Sequence, residues 1–294
     1  MSNLGPTPVI HGNQIQENGL KNNFFFNPQL WTVVGDGCGR QEPFDRKLEF
    51  PKNPYNEELK LFIGRLNFLN YYWNPSKVKN PTILCINSGQ GKNISLLSNL
   101  FPMLKFELYD TRPANPVLRT QRNITIFNQD FTYDVAKKYT DRTDVFMIYD
   151  YNDSSSMTRQ LEMFQYIKPV KALLKYEPQN DELYLDGDIY FTSHSNDSYF
   201  DSFLVPDSTL PLRKWNFKTY NEMVFYHHNI VRPYVNFINP LTNTNTPISN
   251  ELKLNRSFDD SHFVLTVKRY LEKYNVEIIP DQILMICKNI LTQL

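Results

Sequence analysis

Cysteine is scarce in this chain of 294 residues, which holds only Cys38, Cys85 and Cys287. An odd number at wide spacing excludes a disulfide framework and any metal-ligand spacing, so all three are expected as free thiols. Glycine is also scarce, at 10 residues. Neither sign of charge is in excess, because Lys+Arg and Asp+Glu both number 31. That balance excludes a histone-like protein that holds nucleic acid by bulk charge, and leaves only local basic patches for such a role. Long apolar runs are missing too, since none approaches the roughly 18 residues of a membrane span. The opening MSNLGPTPVIHGNQ has no basic region followed by an apolar stretch, so no signal peptide and an intracellular location are expected. What is present is an ordinary globular composition, 41% hydrophobic and 21% charged, with a high aromatic content of 14%. Wholesale disorder and collagen-like repeats are thereby excluded.

Residues 1 to about 45 are rich in Asn, Pro and Gly without periodicity, and read as an irregular arm. The run TVVGDGCGR inside it imitates a phosphate loop. Pro43 follows soon after and no helical pattern opens, so a tight turn is the better reading. A helix is expected after Asn56, with Glu57 and Glu58 in its first turn where the helix dipole favours acids. Leu59, Phe62, Ile63, Leu66, Leu69 and Trp73 give it one apolar stripe. From Pro81 strands and helices alternate. Strands are expected at 82–86, 105–109, 123–127, 145–149, 170–176, 183–191 and 222–227, with helices at 93–101, 133–139 and 157–167 between them. That alternation predicts an α/β fold with a mainly parallel seven-stranded sheet and helices on both faces. A polar insertion around PLTNTNTPISN and two terminal helices, at 259–274 and from Pro280, complete the chain. The expected organisation is an arm over 1–45, a main domain over 46–258, and C-terminal helices over 259–294 packed on it.

In TILCINSGQGKN, Gly89 and Gly91 fall at a strand-to-helix turn, where a missing side chain lets backbone approach a ligand. Asp110 closes the next strand about 20 residues on, where a carboxylate accepts the hydroxyls of a ribose. Nicotinamide enzymes and S-adenosylmethionine enzymes both use this arrangement. The third glycine of a pyrophosphate fingerprint, due near Ile94, is absent, which leans the reading toward S-adenosylmethionine. Asp150 closes a further strand at the lip of the same crevice. Lys175 follows Ala172, Leu173 and Leu174 in a strand expected to be buried on both faces, where a charged amine is costly unless partnered or able to reach solvent. Glu222 is expected to open the last strand and carries the same ambiguity.

The stretches PYNEELKLFIGRLNFL, LCINSGQGKNISLLSNLF, FELYDTRPANPVL, FMIYDYNDS, ALLKYEP and NEMVFY resemble, in order and spacing, the small-subunit family of poxvirus poly(A) polymerase. Its members are also cap-specific mRNA nucleoside 2'-O-methyltransferases. The resemblance covers roughly residues 41–230. It implies a Rossmann-like S-adenosylmethionine-dependent methyltransferase fold, and a Lys-Asp-Lys-Glu tetrad at Lys60, Asp150, Lys175 and Glu222. S-adenosylmethionine is implied as cofactor, held by Glu58, Ile86, Asn87, Gly89, Gly91, Asp110, Arg112, Phe131, Asp150 and Tyr151, with no metal required. Three positions in and around this set depart from the family. Asn87 replaces a glycine, Gln90 a proline and Glu58 a glutamine. The cap pocket departs further, because Gln41 stands where the family stacks an aromatic on the guanine, and the second aromatic falls near Asn180. Phe44, Tyr176, Tyr184 or Tyr220 are the candidate substitutes. The implied partners are capped mRNA, met by patches such as Arg213, Lys214 and Lys218, and a poly(A) polymerase catalytic subunit in a heterodimer, with no membrane. The implied location is the host cytoplasm, in viral factories, and the virion. The competing reading is an RNA-holding processivity subunit whose methyl-transfer site is vestigial.

Overall fold

The structure is a computed structural model. It describes residues 10–11, 14–15, 31–34, 57–150, 156–176, 183–184, 187–191, 202–207, 213–214, 217–226, 247–252, 258–274 and 279–294. These fall into two compact units, one built on Pro51–Asn221 and the other on Glu222–Asn289.

The larger unit is organised by an eight-stranded sheet. Its strands are β3 (Trp31–Val34), β4 (Thr82–Ile86), β5 (Lys105–Tyr109), β6 (Ile124–Phe127), β7 (Val145–Tyr149), β8 (Lys171–Tyr176), β10 (Gly187–Phe191) and β11 (Ser202–Pro206). Their order across the sheet is β3-β10-β11-β8-β7-β4-β5-β6. β6, β5, β4, β7 and β8 run parallel, while β11 is antiparallel to both β8 and β10. Every residue of TILCI in β4 and VFMIY in β7 is buried, the continuous apolar pattern of parallel strands covered on both faces. The chain leaves β4 for β5 on one side and later returns to β7 on the other, so a crevice opens where the order reverses, beyond the carboxyl ends of β4, β5 and β7. Short β1 (Ile10–His11) and β2 (Gln14–Ile15) pair with each other, as do β9 (Leu183–Tyr184) and β12 (Arg213–Lys214).

The helices of this unit are α1 (Glu57–Tyr72), α2 (Lys92–Leu100), α3 (Tyr133–Ala136) and α4 (Ser156–Ile167), followed by α5 (Phe217–Tyr226), which runs on past the boundary. α1 is buried on nearly every side, from Leu59 to Leu69 with Leu61 half-buried. Gly64 permits this close approach, because a Cβ there would lie 2.4 Å from the Phe203 ring on β11. The smaller unit holds α6 (Pro247–Leu252), α7 (Phe258–Lys273) and most of α8 (Pro280–Gln293). In α7, Phe263, Val264 and Val267 are buried. The Lys288 ammonium of α8 donates to the Glu251 carboxylate of α6.

Three expectations are corrected. Residues 222–227 form no strand, because Glu222 lies within helix α5, where the buried Tyr220 and Val224 stand one helical turn apart. The seventh strand is β11, whose short SFLVP is buried throughout; three apolar residues before a proline gave no periodicity to read. The single strand expected over 183–191 is two, β9 and β10, which belong to different sheets. In addition, the polar stretch PISNEL, read as insertion, is the helix α6.

Candidate functional site

Register alone assembles the site. Ile86 on β4 pairs with Tyr109 on β5 and Tyr149 on β7, and Tyr149 pairs with Leu174 on β8. One step further along each strand stand Asn87, Asp110, Asp150 and Lys175. Asn87 N–H donates to Tyr109 O at 2.8 Å and Asp150 N–H to Ile86 O at 3.1 Å, which keeps the edge regular up to these residues. A row of polar side chains therefore lines the carboxyl edge of four adjacent strands, about 5 Å apart from one strand to the next.

The β4–α2 turn supplies backbone. Asn87, Gly89 and Gly91 all take left-handed conformations, with φ of 56°, 62° and 71°. Asn is the side-chain-bearing residue that best tolerates this region, so its replacement of the family glycine leaves the turn intact. A Cβ on Gly91 would meet Leu118 Cδ1 at 2.7 Å. Asp110 ties the turn down from β5. Its Oδ2 accepts from Gly89 N–H at 2.7 Å and its Oδ1 from Arg112 N–H at 2.8 Å. The Arg112 side chain adds a fork, Nε to Oδ1 at 2.9 Å and Nη2 to Oδ2 at 2.8 Å. Burial, with 8% of Asp110 exposed, pushes its carboxyl up, but the Arg112 and Gly89 donors outweigh it and hold the group below the usual carboxylate range. Asp110 is thus a carboxylate, kept ionised and aimed at the turn.

A second chain of contacts runs beneath the crevice and includes two residues that sequence reading missed. Arg65, 1% exposed on α1, pairs through Nη2 with Asp150 Oδ2 and donates through Nη1 to Asn93 Oδ1. Asn93 Nδ2 in turn donates to Glu58 Oε2 at 2.7 Å. Desolvation pulls the Arg65 guanidinium below its ordinary range, opposed by the negative groups around it. The available signal was a basic residue amid the apolar positions of α1, followed two residues later by another buried polar group, Asn67. Lys60 is also buried and pairs with Glu57 Oε2 at 2.7 Å. Lys175 is half-exposed in the next-to-last position of β8, opposite Phe203.

The remaining predicted residues divide. Ile86 is buried, and Phe131 is buried edge-on against Tyr109 with ring centroids 5.0 Å apart. Glu222 is placed on α5, within the smaller unit. Tyr176 and Tyr220 are core residues, 1% and 0% exposed, packed edge-on at 5.4 Å. Ser202 Oγ lies 2.9 Å from the Tyr220 hydroxyl and donates to Tyr176 O at 2.9 Å. In this structure neither ring face is open to a base. Tyr151, Phe44, Gln41 and Asn180 lie outside the described residues. Cys85 and Cys287 are buried free thiols, each pushed by burial up to about 12. Among the described residues no group of His, Cys, Asp and Glu is arranged to hold a metal ion, and no helix is long and apolar enough to cross a membrane.

The switch point, the glycine turn, the strand-end carboxylate and the antiparallel strand inserted beside β8 define a Rossmann-like α/β protein with a mainly parallel sheet. Within that class the chain belongs to the poly(A) polymerase regulatory subunit family, whose model matches residues 40–237. Among solved structures it is similar to precorrin-6y C5,15-methyltransferase from Geobacter metallireducens GS-15, at 12% identity and a TM-score of 0.33, over 55% of this chain and 95% of that one. No curated protein matches the chain.

Proposed function

We propose that this chain is an S-adenosylmethionine-dependent mRNA methyltransferase that methylates the ribose 2'-hydroxyl of the first transcribed nucleotide of capped RNA. In the same reading it serves as processivity subunit to a poly(A) polymerase catalytic subunit. The observation that carries the proposal is the row Asp110, Asn87, Asp150 and Lys175 along one strand edge. The residues fit the cofactor. Asp110 would take the ribose hydroxyls and the left-handed turn from Asn87 to Gly91 would face the amino-acid portion, while Phe131, buried against Tyr109, would belong to the site by family resemblance. S-adenosylmethionine, when bound, supplies the methyl group on a sulfonium. Transfer to a hydroxyl is an in-line displacement, so alignment and removal of one proton are the tasks left to the protein. Lys175, as a neutral amine, would take that proton at Nζ, and Asp150 stands one strand away in register beside it. Arg65 fixes the Asp150 carboxylate from below. Lys60 and Glu222 are the remaining tetrad positions by family resemblance alone.

The vestigial reading draws on one observation, the closure of Tyr176 and Tyr220 within the core. Two measurements separate the readings. Calorimetric titration should show saturable binding of S-adenosylmethionine and of its demethylated product. Single-turnover assays on short capped RNA should show methyl transfer that Lys175→Met abolishes while cofactor and RNA affinity stay within a few-fold of wild type. Activity in the variant close to that of wild type removes Lys175 from the mechanism, and no cofactor binding at all overturns the methyltransferase reading.

A further inference from the structure

The opposite edge of the same sheet has its own chemistry. Lys77 and Lys79 lie five and three residues before β4, Lys105 opens β5, Arg122 lies two residues before β6, Lys168 lies three residues before β8 and Lys171 opens it. All but the half-buried Lys171 are exposed. Backbone bonds hold these junctions in one line. Lys105 N–H donates to Pro81 O at 3.0 Å, Phe106 N–H to Asn123 O at 2.8 Å, Thr82 N–H to Asp144 O at 2.9 Å and Val170 N–H to Val145 O at 2.7 Å. Strand spacing of about 5 Å makes this a basic rim crossing five strands, roughly 20 Å long.

The carboxylates on this edge are largely committed. Asp144 is clamped by Arg142, Nε to Oδ1 at 3.0 Å and Nη2 to Oδ2 at 2.8 Å. The Arg142 bonds hold it below the usual carboxylate range, with a smaller contribution from Lys105. Asp188 accepts from the Tyr72 hydroxyl at 2.6 Å, and Glu107 accepts from the Tyr139 hydroxyl. Asp141 is exposed. In a chain of equal positive and negative counts, the described part of this edge is therefore basic. Tyr71 stands at the same end of α1, 41% exposed and edge-on to Tyr72, over whose ring the Lys171 ammonium sits at 5.9 Å.

We propose that this amino-edge rim binds the backbone of single-stranded RNA, separately from the crevice at the carboxyl edge. A row of cations beside an exposed aromatic ring suits a single strand, phosphates meeting the ammonium groups and a base meeting the tyrosine. The family model names a poly(A) polymerase, whose product is such a strand. The proposal rests on RNA as the ligand of this chain and not on methyl transfer.

The test compares the whole chain with the triple variant Lys77→Gln, Lys79→Gln, Lys105→Gln, by fluorescence anisotropy on a labelled oligo(A) RNA over a range of salt concentrations. Three lost phosphate contacts should weaken binding about tenfold or more at low salt and reduce the slope of log affinity against log salt by about 2. Cofactor binding and methyl transfer on a short capped RNA should be unchanged. An unchanged affinity and slope overturn the proposal. Retained RNA affinity with lost capture of the polymerase catalytic subunit also overturns it, and makes the rim a protein interface. If neither protein transfers methyl groups, the proposed activity fails while the salt slopes still decide the rim.

Discussion

Arg65 carries a charge into the middle of a helix whose neighbours are apolar, and two acceptors meet it there, Asp150 and Asn93. Removing one member of a buried pair leaves the other charged and unsolvated, so Arg65→Ala should lower stability by about 3 to 5 kcal/mol in urea denaturation. Asp110 works through hydrogen bonds instead. Asp110→Ala should weaken S-adenosylmethionine binding by about 1.5 to 3 kcal/mol, read by calorimetry, and an unchanged dissociation constant would remove it from the site. Because its carboxyl is held low, the bonds of Asp110 to Gly89 and Arg112 are fully present above its ordinary value of about 3.9 and are lost as pH falls below it. His262 on α7 titrates in a different window. Desolvation, helped by Arg269, pulls it from its ordinary value near 6.5 down to about 3. Between those values the unfolded chain binds a proton that the folded one does not, so stability falls as pH falls. The expected contribution is up to about 1.4 kcal/mol per pH unit, and His262→Gln should remove that component from denaturation curves taken across the window.

Among the elements, α1 owes its position to a missing side chain. Ala at position 64 improves intrinsic helix propensity by about 1 kcal/mol. Its Cβ would nevertheless press on the buried Phe203 ring, and overpacking of this kind costs about 1 to 3 kcal/mol. Gly64→Ala should therefore be neutral to destabilising by about 2 kcal/mol in thermal melts, where propensity alone predicts a gain. The turn between β4 and α2 is the opposite case, in which local chemistry suffices. Asn and Gly at 87, 89 and 91 are the residues that enter left-handed conformations at least cost, and they do so. α5 shows why a short apolar run misleads. The sequence EMVFY fits a buried strand or one face of a helix equally well, and only the packing of Tyr220 against Tyr176 chooses the helix.

For the whole molecule, recognition of a cap guanine would depend on stacking. A base stacked on an aromatic side chain gains about 1 to 3 kcal/mol. Gln41 offers no comparable surface, and Tyr176 and Tyr220 are withdrawn into the core. Methyl transfer on RNAs differing only in methylation of the cap guanine should accordingly differ by less than about a hundredfold, equivalent to roughly 2.7 kcal/mol. A larger preference would show a complete aromatic sandwich, built from residues other than these two tyrosines. Tyr176→Phe and Tyr220→Phe should leave that preference unchanged.

The sequence by itself determined the parallel block of strands, the glycine turn and the residues that end each strand, because these depend on local periodicity and on backbone freedom. β4, β5 and β7 lie where alternation places them, and Asp110 and Asp150 follow directly at their ends. Only the tertiary structure decided the rest. β11 is a strand because two neighbours bury it, although three apolar residues carry no period of their own. Arg65 and Asn93 joined the site because helices α1 and α2 bring them together across 28 positions of sequence. Tyr176 and Tyr220 are core residues because tertiary packing, which no single-residue pattern states, closes both ring faces.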